Sequence, residues 1–349
     1  MPQTKFIIAS YEKCKKDFIE FRNANRDTKR DASYFDWRYL GRPNEQKPII
    51  VWAEAEQGVK IGALSLIPHH YLINNKVAHV GVLGDISVAK EWRGKGIAQQ
   101  MFKYLSEAES ARKLSACLVL PNEAAARPLM KANWRTISTM TRYVKLIDVE
   151  KRLRKPLKAS WLSRPVSFVL NFALKAMSFE TYKGNGHGYK GAVIDGFDHR
   201  FDALWDNAKK EGMIIGLRNK RYLTWRYANH PLVHHQIFTL THNSQLCGYV
   251  IYHCHGDSCH IDDIFPLNDK SKQPQYLLSS FLRYMKTTNV ADIALTMSGN
   301  GFVDFKLLKY GFIKRSSDWK VLVNVADNAK KDMLLNDGRW FLTAGDKDV

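Results

Sequence analysis

Apolar and polar positions along the chain change period repeatedly. Val82 to Val88 is a short, apolar, β-branched-rich run that reads as a strand, and it leads through a turn-like Ala89-Lys90-Glu91-Trp92 into Arg93-Gly94-Lys95-Gly96. Beyond the glycines Ile97, Met101, Leu105 and Ala108 recur at helical spacing, with Lys103, Glu107 and Glu109 on the other face. Strand, glycine-bearing loop and helix are therefore the predicted order, and the rest of the chain is arranged around them. Helices are predicted at Tyr11 to Asn25 and Tyr34 to Leu40, strands at Ile49–Glu54 and Lys60–Ile67, and a hairpin turn at Ile73-Asn74-Asn75-Lys76. After the glycine-initiated helix come a strand at Ala116 to Leu120, a helix at Glu123–Ala132 and a closing strand at Thr136–Leu146. Asn133 falls at the helix C-terminal position usually held by glycine, where asparagine also tolerates a left-handed backbone.

The pattern then recurs. Tyr34-x-x-Trp37-Arg38-Tyr39 and Pro43 are repeated as Tyr222-x-x-Trp225-Arg226-Tyr227 and Pro231, all at an offset of 188 residues. Asp85-Ile86 with Asp263-Ile264, Asn122 with Asn300, and Asn133-Trp134 with Gly311-Phe312 follow at an offset of 178. Two lobes of one fold in tandem are the reading, with ten extra residues in the first, expected in the Ser65 to Val80 hairpin. The expected elements of the second lobe are a helix at Phe201–Glu211, the WRY helix, strands at Gln236–Leu240, Cys247–His255 and Ile261–Phe265, and a helix at Gln275–Met285. The expected architecture is α/β (α+β), each lobe a mixed, mostly antiparallel sheet flanked by helices. Boundaries fall at 1–150, a linker at 151–190 and 191–349, the linker opening on the basic run Lys151-Arg-Leu-Arg-Lys-Pro156-Leu-Lys158.

At 349 residues the chain suits two domains, and its 45% hydrophobic content suits packed cores. The longest greasy run, Trp161 to Met177, is broken by Arg164, Pro165, Asn171 and Lys175 and falls short of a membrane span. It is expected to pack as a linker helix, with peripheral membrane contact as the alternative. The opening residues lack a long apolar region and a cleavage site, so a cytoplasmic protein is expected. Cys14, Cys117, Cys247, Cys254 and Cys259 are scattered and odd in number, which fits free thiols. With 53 Lys and Arg against 34 Asp and Glu, the net charge of +19 calls for an anionic partner without choosing it.

The loop holds the sharpest chemistry. Its helix begins with backbone N–H groups that lack intrahelical partners, and side-chain-free Gly94 and Gly96 let an anion approach them under the helix dipole. Arg93 and Lys95 add two cations at the same place, so a diphosphate fits. His253-Cys254-His255-Gly-Asp-Ser-Cys259-His260 carries metal-ligand residue types, but strand alternation puts Cys254 on the face opposite His253 and His255, and no metal is expected there. The repeated Trp-Arg pairs read as shared packing anchors.

Arg93-x-x-Gly96-x-Ala98 after a strand resembles the Arg/Gln-x-x-Gly-x-Gly/Ala signature of the GNAT superfamily of acyl-CoA-dependent N-acyltransferases. Asn122, the helix after it and Asn133-Trp134 resemble that family's continuation, over roughly residues 50 to 145. The resemblance implies acyl-CoA as co-substrate with no permanently bound cofactor. It implies a cofactor surface of Ile86, Ser87, Val88, Arg93, Gly94, Lys95, Gly96, Ile97, Ala98 and Asn122, and Asp85 as candidate base for the acceptor amine. The tyrosine that protonates the thiolate in many members is Leu129 here, and a thiol of pKa near about 8.5 leaves without a dedicated acid. In the second lobe Ser271, Pro274 and Tyr276 replace Arg93, Gly96 and Ala98, so that lobe is expected to have lost the acyl-CoA loop.

The tandem arrangement, the two WRY segments, the basic linker and Trp340-Phe-Leu-Thr-Ala-Gly-Asp346 resemble acyltransferases of bacterial surface-polysaccharide synthesis. That likeness implies a nucleotide-linked amino sugar as acceptor, such as a dTDP-3-amino-3,6-dideoxyhexose. It would be bound where the lobes meet, near His69 and His70, and no nucleic acid is expected as partner. The alternatives are a tRNA-dependent aminoacyl ligase of peptidoglycan synthesis and a non-catalytic acyl-CoA-binding component of a polysaccharide assembly complex.

Overall fold

The structure is a computed structural model. It describes residues 4–108, 113–148, 151, 180, 188–208, 212–266, 272–298, 305–315, 319–325 and 330–347. Ser271, Asn300, the Trp161–Met177 run and nearly all of the expected 151–190 linker lie outside the described residues. The first half runs β1 (Lys5–Ser10), α1 (Tyr11–Ala24), α2 (Ala32–Tyr39), β2 (Ile49–Glu54), β3 (Lys60–Ile73), β4 (Lys76–Val88), α3 (Ile97–Glu107), β5 (Ala116–Val119), α4 (Glu123–Lys131), β6 (Arg135–Thr139) and β7 (Thr141–Leu146). The second half runs β8 (Tyr189–Ile194), α5 (His199–Asn207), β9 (Ile214–Gly216), α6 (Lys220–Leu223), β10 (Gln236–His242), β11 (Gln245–His255), β12 (Ser258–Pro266), α7 (Gln273–Lys286), β13 (Asp292–Ser298), β14 (Ile313–Arg315), β15 (Lys320–Asn324), α8 (Lys331–Leu334) and β16 (Trp340–Thr343). The WRY segment after α6 is a π-helical turn, Thr224–Ala228.

The halves share one topology. Strands β1 to β5 are neighbours in chain order, antiparallel except for the parallel pair β4 and β5. In the second half β8, β10, β11, β12 and β13 repeat this, again with the last pair parallel. On one face of the first sheet Ile97, Met101 and Leu105 of α3 pack on Leu83 and Val119. On the other, Tyr11, Phe18 and Tyr39 of α1 and α2 pack on Ile50, Trp52 and Ile67.

Strands then cross between the halves. The expected single strand Thr136–Leu146 breaks at buried Met140, whose backbone N–H donates to the Trp319 carbonyl at 2.9 Å. Past the break β7 pairs with β13 and β14 of the second half. In return β15 lies between β5 and β6 of the first. A boundary near residue 150 therefore separates the halves in sequence but not in the sheet. β16 closes the seam, parallel to β9 and antiparallel to β13. A core there joins Tyr71, Val82 and Leu118 to Ile214, Val323 and Trp340.

Two features set the junction. β3 and β4 have 14 and 13 residues against 11 and 9 in β11 and β12. The extra length is an arm that turns at Asn74-Asn75, both left-handed (φ 53° and 60°), and pairs Tyr71 to Ile73 with β9. Trp37 and Trp225 meet with ring centroids 5.5 Å apart. Each indole N–H donates to the other's backbone carbonyl, at 2.7 and 2.8 Å, which relates the two WRY segments by a local two-fold.

Candidate active site

Gly96 is the N-cap of α3 with φ 78°, and Gly94 has φ 79°. This is the left-handed region that a side chain disfavours, so glycine is favoured at both. A Cβ on Gly94 would meet nothing within 4 Å, and one on Gly96 only the end of Gln100. Open space in front of unpaired N–H groups is what an incoming phosphate needs. Lys95 is exposed, with its ammonium 4.9 Å from the Trp92 ring. Arg93 turns back instead, donating to the carbonyls of Val88 (3.2 Å) and Asn25 (2.9 Å), so it braces the loop against β4 and the end of α1.

The strand leading into this loop is open along one edge. β4 pairs with β5 only at Val80, Gly81 and Val82, although β4 continues to Val88. Against β3 the register slips between Ala63 and Ser65, leaving a bulge at Asp85 and Ile86. Leu83 to Val88 therefore have no β5 partner among the described residues, and an extended amide-bearing arm could add there as a strand would. Arg26 takes the carbonyl of Ile86 (2.8 Å) and the Ser87 hydroxyl (3.2 Å) at this opening. Asn122 is the N-cap of α4, its side chain accepting from the Ala125 N–H at 3.0 Å. Leu129 is fully buried. Of the residues from Ile86 to Ala98, Ile86, Val88, Arg93, Gly94, Lys95, Gly96 and Ala98 reach solvent while Ser87 and Ile97 are buried, and Asn122 is engaged in capping.

Asp85 itself has a left-handed φ of 45° and is 8% exposed. Its carboxylate accepts from Arg22 Nε (3.1 Å) and the Tyr39 hydroxyl (2.8 Å) and lies 3.5 Å from Arg38 Nε. Burial pushes its pKa up, but the Arg38 and Arg22 charges and the Tyr39 hydrogen bond outweigh burial and hold it below the usual carboxylate value. Asp263 is held in the corresponding way by Arg218 (3.1 Å), the Tyr249 hydroxyl (3.0 Å) and the Thr343 hydroxyl (3.0 Å). There burial, the largest influence, prevails over Arg218 and the pKa is raised. Both aspartates anchor buried ionic clusters.

His69 and His70 lie where the halves meet. A cleft of ≈ 210 Å³ is lined by both histidines together with Arg42, Arg221, Tyr222 and Trp225. A smaller adjoining cavity is lined by the same histidines with Arg38, Arg226, Asp346 and Lys347. Burial, reinforced by the Arg42, Arg226 and Arg38 guanidiniums, holds His69 far below its ordinary pKa, so its imidazole is neutral. Arg38 is the physical link between the two places, reaching Asp85 on one side and the cavity on the other. These cationic residues were not singled out as ligands from sequence. The recurrence of Trp-Arg was the signal for Arg38 and Arg226, and only the folded junction brings the two copies together. In the second half Pro274 opens α7 without an N–H to offer, and Tyr276 packs on Tyr189 at 4.8 Å.

A bulged central strand that parts from its parallel neighbour before a glycine-initiated helix is the frame of an acyltransferase fold. Residues 11–133 match the Acetyltransferase (GNAT) family. Solved structures share the architecture over nearly the full chain. One is a conserved protein of unknown function from Enterococcus faecalis V583, named as a probable N-acyltransferase; TM-score 0.65, 10% identity, 93% of this chain and 73% of that one. Another is a GCN5-related N-acetyltransferase from Anabaena variabilis ATCC 29413; TM-score 0.63, 12% identity, again 93% and 73%. Eis1 from Mycobacterium abscessus is similar as well; TM-score 0.58, 12% identity, 95% and 76%. At these identities the likeness is one of fold. No curated protein matches the sequence. The family match and the fold support an acyltransferase, hence an enzyme, and the family uses acyl-CoA as co-substrate. No helix among the described residues is long and apolar enough to cross a membrane.

Proposed function

We propose that the chain transfers an acyl group from acyl-CoA to the amine of an anionic, nucleotide-linked amino sugar for surface-polysaccharide synthesis. The observation that carries this reading is the junction itself. A glycine loop at the head of α3 follows a strand edge open from Leu83 to Val88, and between the halves Arg42 and Arg221 line a cleft and Arg38 and Arg226 the cavity beside it. The diphosphate of CoA would sit on the α3 N-terminus beside Lys95, with its amide-bearing arm along Leu83 to Val88. The acceptor's diphosphate would meet exposed Arg221 and lie in the positive field of Arg38, Arg42 and Arg226, whose guanidiniums also hold Asp85 and backbone carbonyls.

The amine lone pair attacks the thioester carbonyl carbon, the C–S bond breaks, and CoA leaves as thiolate. The proton shed by the nitrogen must go to a base with a free lone pair; His69 is a neutral imidazole in the cleft, and the burial and guanidiniums that hold its pKa down make it a weak base that passes the proton on to water. Asp85, with both oxygens engaged, acts in this scheme by holding Arg38 toward the acceptor.

Thioester consumption with a panel of nucleotide-linked and free amino sugars tests the proposal. The nucleotide-linked sugar should react with a kcat/KM at least about 10²-fold above the free sugar, because remote binding energy is used at the reacting centre. Its KM should rise with salt as the phosphate contacts are screened. Equal kcat/KM for the two would sink the acceptor assignment.

A further inference from the structure

Away from the acyl-transfer surface, three segments of the second half bring ligand atoms together beside the β11–β12 hairpin. His253 pairs with His260 across the ladder, and their rings stack 5.2 Å apart. The ladder then slips, Tyr252 pairing with Ile261 and Ile251 with Asp263, so Asp262 is an extra residue at a bulge. That bulge puts Asp262 Oδ2 3.4 Å from Nε2 of His235, which lies just ahead of β10, and 2.5 Å from His253 Nδ1, a hydrogen bond that an ion would replace as the two side chains part to about 3.3 Å, the spacing of two donors on one tetrahedral zinc. The three ligand atoms all lie within 4.8 Å of one another.

The protons on His235 can be assigned. Its Nδ1 is 3.2 Å from the Tyr227 carbonyl, which can only accept, so Nδ1 carries the hydrogen. In the neutral ring Nε2 then aims a lone pair at a carboxylate oxygen. Two electron-rich atoms facing each other need positive charge between them, and the His235 and Asp262 side chains are only 6% and 17% exposed. A second proton on the ring would supply it, and so would a metal ion.

The arrangement favours the ion. A ligand imidazole fixed by donating its other N–H to a carbonyl is the usual support of a metal site. Two imidazoles and one carboxylate are a known three-ligand set for zinc with one position left open. His253, 27% exposed, leaves a way in.

We propose that His235 Nε2, His253 Nδ1 and Asp262 Oδ2 bind one divalent transition-metal ion of the zinc class. Imidazole donors disfavour magnesium and calcium, which prefer all-oxygen cages. His253 binds in the tautomer that carries its hydrogen on Nε2. Tyr227 belongs to the turn that carries Trp225, so the ion ties the hairpin to the junction of the two halves. Cys254, on the opposite face of β11, is not a ligand.

The test uses the full-length chain stripped with a chelator, titrated with ZnCl₂ by calorimetry and with CoCl₂ by visible absorption. One ion per chain should bind with micromolar or tighter affinity and raise the unfolding midpoint. His253→Ala and Asp262→Asn should weaken Zn²⁺ binding at least about 10²-fold, while Cys254→Ser leaves it unchanged. X-ray absorption on the zinc-loaded wild-type chain needs no variant and should show nitrogen and oxygen neighbours without sulfur. Zinc uptake only at millimolar concentration, wild-type affinity in a folded His253→Ala, or a sulfur neighbour would each overturn the assignment.

Discussion

Asp85 holds a left-handed φ of 45°, whereas its counterpart Asp263 keeps an ordinary backbone. A non-glycine residue in that region costs about 1–3 kcal/mol and persists only when its surroundings impose it. Here the imposition comes from Arg22, Arg38 and Tyr39. Asp85→Asn leaves two buried guanidiniums without their anion, so stability near neutrality should fall by about 3 kcal/mol or more. The pH dependence has a definite sign. The folded pKa is depressed, so the stabilisation is complete above the unfolded value of about 3.9 and drains away as pH falls through the lower folded one. Denaturant titrations should therefore show a gap between wild type and variant that is open near neutrality and closes in acid; a constant gap would mean the charge is not what matters. Gly96 offers a second test. Gly96→Glu places bulk and negative charge at a helix N-terminus and should abolish CoA binding in calorimetry while the fold is kept. Calorimetry on the wild type should find one CoA per chain, because Pro274 and Tyr276 replace Gly96 and Ala98 in the other half.

Elements with a clear period were legible in the sequence, and those made by long-range pairing were not. α3, β2 and the Asn74-Asn75 turn stand where the apolar spacing and turn residues put them, because each is specified by its own side chains. β9 and β16 are three and four residues long and exist only through their partners, so no local pattern announces them. The glycine loop before α3 was legible for the same reason as α3, since its glycines answer a local demand of backbone geometry. The junction arginines and the His235, His253 and Asp262 group were not, being assembled from segments far apart in the chain. The WRY segments stand between these cases, for their recurrence was visible but their contact was not. Trp37→Phe and Trp225→Phe each remove one indole donor and leave a buried carbonyl unpaired, which should cost about 1–3 kcal/mol apiece. Since the two rings also stack, the double variant should be non-additive by about 0.5 kcal/mol or more in a denaturation cycle. Strict additivity would show that the rings act independently.

At the scale of the whole molecule the exchange of β7 and β15 makes the halves interdependent. Without β15, β5 and β6 lose the strand between them, and Leu322 leaves the core under α3. Without β7, β13 and β14 lose theirs, and the seam core loses Tyr71, Val82 and Leu118 together with the first half. An unpaired edge of buried strands with an opened core is costly in backbone hydrogen bonds and apolar area, and it invites association. A fragment of residues 1–148 should therefore lack a cooperative unfolding transition and bind no CoA, although it contains the entire cofactor loop. Mixed with a fragment of residues 149–349, it should recover both, because strands, core and the buried Glu180 that pairs with Lys145 and Lys286 are then all present and only one peptide bond is missing. Circular dichroism melts and CoA calorimetry on the separate and mixed fragments would read this directly. Cooperative melting and CoA binding by 1–148 alone would mean that the exchanged strand decorates the first half rather than completing it. Reconstitution would tie CoA binding to the second half, and with it the junction cleft, whose arginines come from both.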